Sequence, residues 1–499
     1  MHLQIVRAWA SGEPPGAPVY RQIADQIREH VRSGELSDGD RLPPIRELAR
    51  RLGVNRDTVC SAYESLAAEG VVDAQVGRGT FVRSRWPRGA LGQLAREVTL
   101  SKGTERLLDL DRARVAYGAG RDAIPLHALV PDPRLFPVEA FRRALARAFR
   151  DHGAGLLEYG APEGYAGLRE ALAERLRAAG TMVGPEALVL CQGASQGISL
   201  AMRLYAEWGD AVALESPTYH NALATLASQG LRAVSVPMHS DGVDLDALDR
   251  TLARPEVKLF YTIPSFHNPM GVTTSLAHRE ALLGIAARHG KAVVEDAFQR
   301  DLRYVGRPLP SLAGLDQEGI VVQLLSFSKS LFPGLRAGAV LARGRSVDAL
   351  LALRGATDLG GALPLQVALA DFLRSGAYDR HLSSLRRHLR ARRDAALEAL
   401  AAHLPPGSRW TRPDGGCQVW VELPEPLDSR ELHADALRAG VLVAPGFQFH
   451  HDGHPSRGLR LSLARADESE IREGVTRLGR VVRERLAHAG LPATAAVHV

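Results

Sequence analysis

Cysteine is scarce in this 499-residue chain: Cys60, Cys191 and Cys417 stand far apart. Three scattered thiols exclude a disulfide framework and any cysteine-based zinc site. Long apolar runs are also missing. The longest charge-free stretches, such as Ala187 to Met202, are broken by Gly, Gln and Ser and fall short of a bilayer crossing. Met1 to Pro15 has neither a basic start nor a continuous apolar segment, so no secretory signal is read. These absences together point to a cytoplasmic protein with reduced thiols and no membrane partner. Lysine is absent from Met1 to Arg85, where twelve arginines meet eleven acidic residues. The net charge of +6 and pI near 9.4 are compatible with a polyanionic partner without identifying one. What is there is length and apolar content: 45% hydrophobic residues over 499 positions suggest two or three globular domains.

Residues 20–31 alternate at helical spacing, with Ile23, Ile27 and Val31 on one face and Gly34 as a stop. Leu42-Pro43-Pro44 opens a second helix with an apolar stripe through Leu48 and Leu52, ended by Gly53. Asn55 can cap a third helix running through Val59, Tyr63 and Leu66 to Gly70. Val71 to Ala74 and Thr80 to Val82 then read as two strands around Gly77-Arg78-Gly79. Helix, tight turn, helix is the helix-turn-helix unit, and a hairpin after it makes a wing. A small helical adaptor has the same elements. The polar residues favour DNA, because Arg46, Arg56, Thr58 and Ser61 sit where a major groove would meet the helix starts and exposed faces. Gly77 and Arg78 form a wing that can approach phosphates or a minor groove closely.

The run Gly39-Asp40-Arg41-Leu42-Pro43-Pro44-Ile45-Arg46-Glu47-Leu48-Ala49, followed by Val54-Asn55-Arg56-Asp57-Thr58-Val59 and Gly77-Arg78-Gly79-Thr80-Phe81-Val82, resembles the winged helix of GntR-type repressors. The resemblance implies a double-stranded DNA operator as partner, with Arg46 and Arg56 on phosphates or guanine edges, Thr58 and Ser61 reading or positioning, and the wing in the minor groove. A bidentate arginine on guanine is worth about 1–3 kcal/mol of discrimination. This domain is placed at 16–84, a linker rich in Arg, Gly and Ala at 85–122, and a large domain at 123–488. Within the linker, Leu91 to Leu100 could form a turn or two of helix.

In the large domain, helices alternate with apolar runs beginning at Ala187, Ala211, Arg232, Lys258, Ala292 and Ile320. That rhythm predicts an α/β fold with a mostly parallel sheet covered by helices, and ligands at the strand C-termini. Chemistry-bearing residues fall there. Ser326-Phe327-Ser328-Lys329 sets one lysine among hydroxyls, with Arg336 seven positions on. A lysine can form a Schiff base with an aldehyde when burial and a nearby cation lower its pKa, and hydroxyls with an arginine fork suit a phosphate. Gly193-Ala194-Ser195-Gln196-Gly197 opens a helix whose N–H groups suit an anion. Tyr219 follows one strand, Asn268-Pro269 another, and Glu295-Asp296 ends a third. Singly, each also fits a bland reading: a surface lysine, a packed helix start, a core tyrosine, a turn, solvated acids.

In combination and order, Gly-Ala-Ser-Gln, Tyr219, Asn268-Pro-x-Gly, Asp296 and Ser-x-Ser-Lys329 with Arg336 resemble the fold type I pyridoxal-phosphate enzymes, the aspartate aminotransferase superfamily. The resemblance implies pyridoxal 5'-phosphate as cofactor, held as an aldimine on Lys329. It implies that Asp296 pairs with the pyridine nitrogen, Asn268 meets the ring oxygen and Tyr219 stacks. Ala194, Ser195, Ser326, Ser328 and Arg336 receive the phosphate. Tyr159 reaches the phosphate of a second subunit, hence a homodimer, and Arg460 clamps an amino acid's carboxylate. His450, His451 and His454 read as solvent-exposed loop chemistry, and no metal is expected.

The union is similar to the MocR-type regulators. That resemblance implies a dimeric transcription factor whose effector is an amino acid, an amine or pyridoxal phosphate itself. Three departures stand out. Phe298 replaces a tyrosine that assists Asn268 at the ring oxygen, which argues against efficient turnover. Asn221 stands where GABA-responsive members carry arginine. Ala128-Leu129-Val130-Pro131-Asp132 replaces Pro-Gly-x-Pro-Asp. The rival reading is an active aminotransferase with an autoregulatory DNA-binding domain.

Overall fold

The computed structural model describes residues 18–33, 36, 39–68, 71–75, 79–82, 99–112 and 123–489. They divide into two compact units between Ser101 and Lys102.

The first unit has helices Val19–Ser33, Ile45–Leu52 and Arg56–Ala68, then an antiparallel hairpin of Val72–Gln75 and Gly79–Val82. Ile23 and Ile27, one helical turn apart, meet Leu48, Leu52, Val59, Tyr63 and Leu66 in one core. The second helix ends where Gly53 turns left-handed at φ 63. Asn55 Oδ1 accepts from the Asp57 amide at 3.3 Å, and the Tyr63 hydroxyl donates to Pro43 O at 2.8 Å, which ties the third helix to the start of the second. Gly34, Gly77 and Arg78 lie outside the described residues.

The second unit opens on a helix, Lys102–Arg112, inside the stretch read from sequence as linker. Only Gly103, Leu107 and Leu110 turn inward, a stripe too narrow to stand out, and the helix packs on His220–Ser228. The segment 91–98 is not among the described residues. Eight strands follow in the order Leu188–Cys191, Gly338–Leu341, Val321–Ser326, Ala292–Asp296, Val257–Thr262, Ala211–Ser216, Arg232–His239 and Gly242–Val243. The five from Val321–Ser326 to Arg232–His239 are parallel, while Gly338–Leu341 runs against both its neighbours. Their apolar runs are buried because helices cover both faces, as parallel sheets require.

A five-stranded sheet, ordered Arg409–Trp410, Gln418–Glu422, Gly458–Ser462, Val441–Pro445 and Ile124–Leu126, builds a second core. Its last strand comes from the beginning of the unit and lies parallel to Val441–Pro445. The 27-residue helix Ala377–His403 serves both cores, Tyr378 to Leu389 in one and Ala396 to Leu400 in the other. The closing helix Glu468–His488 starts on a capping box made by Asp467 and Glu470.

Candidate functional site

Adjacent parallel strands all end on one side of the sheet, and their ends surround a cavity of about 550 Å³. Its lining includes every cofactor and effector residue expected from the sequence except Tyr159. Lys329 lies in the turn after Val321–Ser326 and Asp296 ends the next strand. Asn268 follows Val257–Thr262, Tyr219 follows Ala211–Ser216, and Ala194-Ser195 open the helix after Leu188–Cys191.

Burial pushes the Lys329 ammonium down, aided by Arg460 and Arg336 and opposed by Cys417. Its Nζ donates to the backbone carbonyl of Leu129. Asp296 is 2% exposed, and burial raises its carboxyl to about 6 despite hydrogen bonds from the Tyr261 hydroxyl at 2.7 Å and the Phe298 amide at 3.2 Å. Asn268 Oδ1 accepts from Arg460 Nη1 at 2.8 Å. The turn carrying Asn268 is braced from behind. Arg279 donates to Pro264 O, Ser265 Oγ and Thr274 O, and Gln418 Nε2 donates to Phe266 O and His267 O. Glu215, accepting from Thr262 Oγ1 and Ile263 N, lies 3.1 Å from His267 Nε2. Such bracing holds a polar side chain in one orientation before any ligand arrives.

The phosphate corner shows close approach. Gly193 has φ 86, and a Cβ there would sit 3.1 Å from Arg336 Nη2, which donates to Gln192 O at 2.7 Å. Glycine lets the guanidinium close on the loop beside the amides that open the helix Ala194–Tyr205. Ser326 Oγ accepts from the Ser328 amide at 3.3 Å, and Asn221 Nδ2 donates to the Tyr219 hydroxyl at 2.9 Å.

The three departures also lie at the cavity. Phe298 and Asn221, noted from sequence as departures from the family pattern, both line it. Ala128, Leu129 and Val130 form part of the wall. Sequence reasoning missed His127, His220 and Gln448, which line the cavity, and Tyr261, which touches it only through Asp296. Burial pushes His127 down to about 4, with Arg460 and His433 adding repulsion. Tyr159 stands apart, 83% exposed, within a surface stretch that also exposes Leu157. His450 is half-buried rather than exposed: its Nδ1 lies 2.9 Å from Ser216 Oγ, and burial lowers its pKa to about 4. His451 pairs with Ser235 and His454 with Asp452. Among the described residues no cluster of His, Cys, Asp or Glu could hold a metal, and no helix is long and apolar enough to cross a membrane.

In the first unit, Arg46, Arg56 and Ser61 are exposed and Thr58 is half-buried. Arg46 and Arg56 border one surface cleft together with Arg41, which was not singled out. Gly79, at φ 120, leaves room for Arg41, whose Nε would lie 2.8 Å from a Cβ there. The useful signal was Gly39-Asp40-Arg41, a charge beside a turn glycine.

The cavity's donor set fits pyridoxal phosphate: a buried lysine of lowered pKa, a buried carboxylate, a braced amide, and a glycine-cradled arginine beside a helix start. Comparison with known proteins agrees. Residues 130–478 match the aminotransferase class I and II family, and residues 19–82 match the gntR family of bacterial regulatory proteins. The chain is 33% identical to the uncharacterized HTH-type transcriptional regulator YdcR of Escherichia coli, over 94% of this chain and 99% of that protein. It is 32% identical to the "Probable rhizopine catabolism regulatory protein MocR" of Rhizobium meliloti, over 92% and 93% of the two chains. Among solved structures it superposes on LysN, the α-aminoadipate aminotransferase of Thermus thermophilus complexed with N-(5'-phosphopyridoxyl)-L-leucine. The TM-score is 0.71 at 35% identity, over 78% of this chain and 98% of that one.

Proposed function

The chain belongs to the MocR-type branch of the GntR regulators, a DNA-binding winged helix joined to a pyridoxal-phosphate aminotransferase-like domain, and from that premise we propose that it is a cytoplasmic, homodimeric transcriptional regulator that senses a small amine-bearing ligand at Lys329. The observation that carries this reading is the convergence of Lys329, Asp296, Arg336 and Arg460 on one cavity, in a chain whose other unit turns Arg41, Arg46 and Arg56 outward. Pyridoxal phosphate, when bound, supplies an aldehyde that condenses with amines and a ring that accepts electrons.

The chain's own residues do the rest. Lys329 would hold the cofactor, its pKa lowered by burial so that the free amine is accessible. With the cofactor in the cavity, Asp296 would pair with its ring nitrogen, Asn268 would meet its ring oxygen and Tyr219 would stack on it. The amides of Ala194 and Ser195, the hydroxyls of Ser326 and Ser328, and the Arg336 fork would hold its phosphate. Tyr159 reaches across to the second subunit, which gives its exposed ring a place. In the winged helix, Arg46 and Arg56 contact the operator, Thr58 and Ser61 position or read, and Gly77-Arg78 follow the minor groove. Differential affinity of the ligand for two arrangements of the protein is what converts binding into regulation.

The test is an absorbance spectrum before and after adding pyridoxal phosphate, with borohydride trapping and peptide mapping. We expect a reduced adduct on Lys329, one of four lysines in the chain. Lys329→Ala should lose the adduct while keeping operator binding; imine absorbance surviving in that variant would remove the assignment. A working aminotransferase remains the second reading, because Lys329, Asp296 and Arg460 line one cavity. Keto-acid formation from an amino acid, measured against Lys329→Ala, separates the two.

A further inference from the structure

The turn that opens the phosphate corner is held from outside, by a residue that does not line the cavity. Gln192 and Gln196 flank Gly193, the left-handed glycine of that corner. Gln192 N donates to Gln196 Oε1 at 2.7 Å. Both side-chain amides donate to Asp358 Oδ2, Gln192 Nε2 at 2.8 Å and Gln196 Nε2 at 3.1 Å. The three side chains thus close a ring of hydrogen bonds around the turn. Gln192 has a further tie, because its carbonyl accepts from Arg336 Nη2 at 2.7 Å. Its amide, side chain and carbonyl are all engaged, and it stands directly beside the groups to which the proposed function gives the phosphate.

Asp358 is itself fixed. Its Oδ1 accepts from Gly360 N at 2.9 Å, and its amide donates to Arg354 O at 2.7 Å. It lies just beyond the helix Arg345–Gly355, which packs along the helix Ala194–Tyr205. Where those helices meet at their other end, the Tyr205 hydroxyl lies 2.9 Å from Ser346 Oγ. The pair is therefore tied at both ends, and the Asp358 end is the one at the amides of Ala194 and Ser195. Four residues before Asp358, Arg354 is 1% exposed, gives Nη1 to Pro162 O, and has no hydrogen-bond partner for Nε or Nη2 among the described residues. Burial pushes the Asp358 carboxyl up, but the bonds from Gly360, Gln196 and Gln192, with the charge of Arg354, outweigh it and hold the pKa below the ordinary value.

A carboxylate has two opposite effects beside a phosphate corner. As a charge it repels a phosphate; as an acceptor it orients the turn that would bind one. Thr357 and Leu359 on either side are exposed, so water and salt screen the repulsion. The two hydrogen bonds that converge on Oδ2 go to an ionised acceptor and are roughly twice as strong as neutral ones. Orientation should win.

We propose that Asp358 is a positioning residue for the cofactor's phosphate: through Gln192 and Gln196 it sets the Gly193 turn so that the Ala194 and Ser195 amides and Arg336 face one anion. This rests on the reading of the cavity as a cofactor site.

The experiment titrates the full-length, cofactor-free protein with pyridoxal phosphate and, separately, with pyridoxal, which has the same aldehyde and ring but no phosphate. Imine absorbance reports both. Asp358→Ala loses both acceptor bonds, whereas Asp358→Asn keeps one carboxamide oxygen. We expect pyridoxal phosphate to bind on the order of tenfold more weakly to the Ala variant and by an intermediate factor to the Asn variant, with pyridoxal affinity within about twofold of wild type in both. A second readout needs no cofactor: hydrogen–deuterium exchange of peptides covering 190–198 should quicken in Asp358→Ala. Equal losses for pyridoxal and pyridoxal phosphate would make Asp358 a general support of the fold and overturn the proposal. So would unchanged or tighter binding of pyridoxal phosphate, the sign expected of charge alone, or unchanged exchange at 190–198. If wild-type protein takes neither compound onto Lys329, the reading of the cavity fails and the proposal falls with it.

Discussion

Replacing Tyr261 by Phe is the sharpest probe of the cofactor site, because one hydrogen bond changes and nothing else does. The Tyr261 hydroxyl donates at 2.7 Å to Asp296 Oδ2 in a buried environment, with the Phe298 amide as the second donor to that carboxylate and Glu295 and Glu215 as nearby like charges. Hydrogen bonds to charged groups are worth about 1.5–3 kcal/mol, and a pKa unit is about 1.4 kcal/mol, so the loss should raise the Asp296 carboxyl by roughly one to two units. The starting value is about 6, so the variant's carboxyl should titrate between about 7 and 8. The sign follows from which form is needed. Only the carboxylate can pair with a protonated ring nitrogen, so cofactor affinity falls as pH drops through the Asp296 pKa. The assay is an affinity titration of cofactor-free protein with pyridoxal phosphate from pH 5 to 9. Taking the ratio of wild type to variant cancels the titration of Lys329 and of the cofactor phosphate. We expect Tyr261→Phe to bind on the order of tenfold more weakly at pH 6 and to converge with wild type by about pH 9. A ratio that stays constant across pH would refute the reasoning and reduce Tyr261 to packing.

Arg56→Ala should weaken operator binding across sequences and reduce the salt slope of log K by about one if it contacts phosphate, or relax preference at one base if it reads guanine; a retardation series in salt separates these, and pyridoxal phosphate content should not change. Asp132 and Arg392, each 3% exposed at the side chain, form a 2.7 Å ion pair that joins the helix Ala377–His403 to the start of the unit, with Arg134 as a further donor. Asp132→Asn leaves a buried guanidinium without its carboxylate and should cost about 3–5 kcal/mol in urea unfolding of the second unit. Burial pushes the Asp132 carboxyl up, but the hydrogen bonds from Arg134 and Arg392 outweigh it and hold the pKa below the ordinary value. Its stabilisation is therefore present above about pH 4 and lost as pH falls through the lowered pKa, so the Asn variant should differ from wild type at neutral pH and much less in strong acid.

Much of the cavity is legible in the residue order alone because its residues follow strand ends. An apolar run, then Lys329, Asp296, Asn268 or Tyr219, is a pattern that parallel topology converts into proximity. The winged helix is legible for a different reason: Ile23, Ile27, Leu48, Leu52, Val59 and Leu66 keep helical spacing, and Gly53 marks a boundary. The helix Lys102–Arg112 is not, since its buried stripe holds one glycine and two leucines. Gly338–Leu341 escapes as well, because a four-residue apolar run does not say whether it is a strand, and nothing local announces that it runs antiparallel.

What the sequence by itself determined is the set of chemical groups, their order, and hence the family and cofactor. Residue identity and spacing along the chain carry that information. What only the tertiary structure decided is which groups hold which. Tyr261 sits in an apolar strand and reads as core until its hydroxyl is seen 2.7 Å from Asp296. The segment 127–129 makes its ties through backbone carbonyls, which every residue possesses, to Lys329, Arg460 and Ser462, which lie 200 to 334 positions away. A hydrogen bond between a common acceptor and a distant donor leaves no mark on composition or periodicity; packing the two sheets of the large unit is what brings the partners within reach.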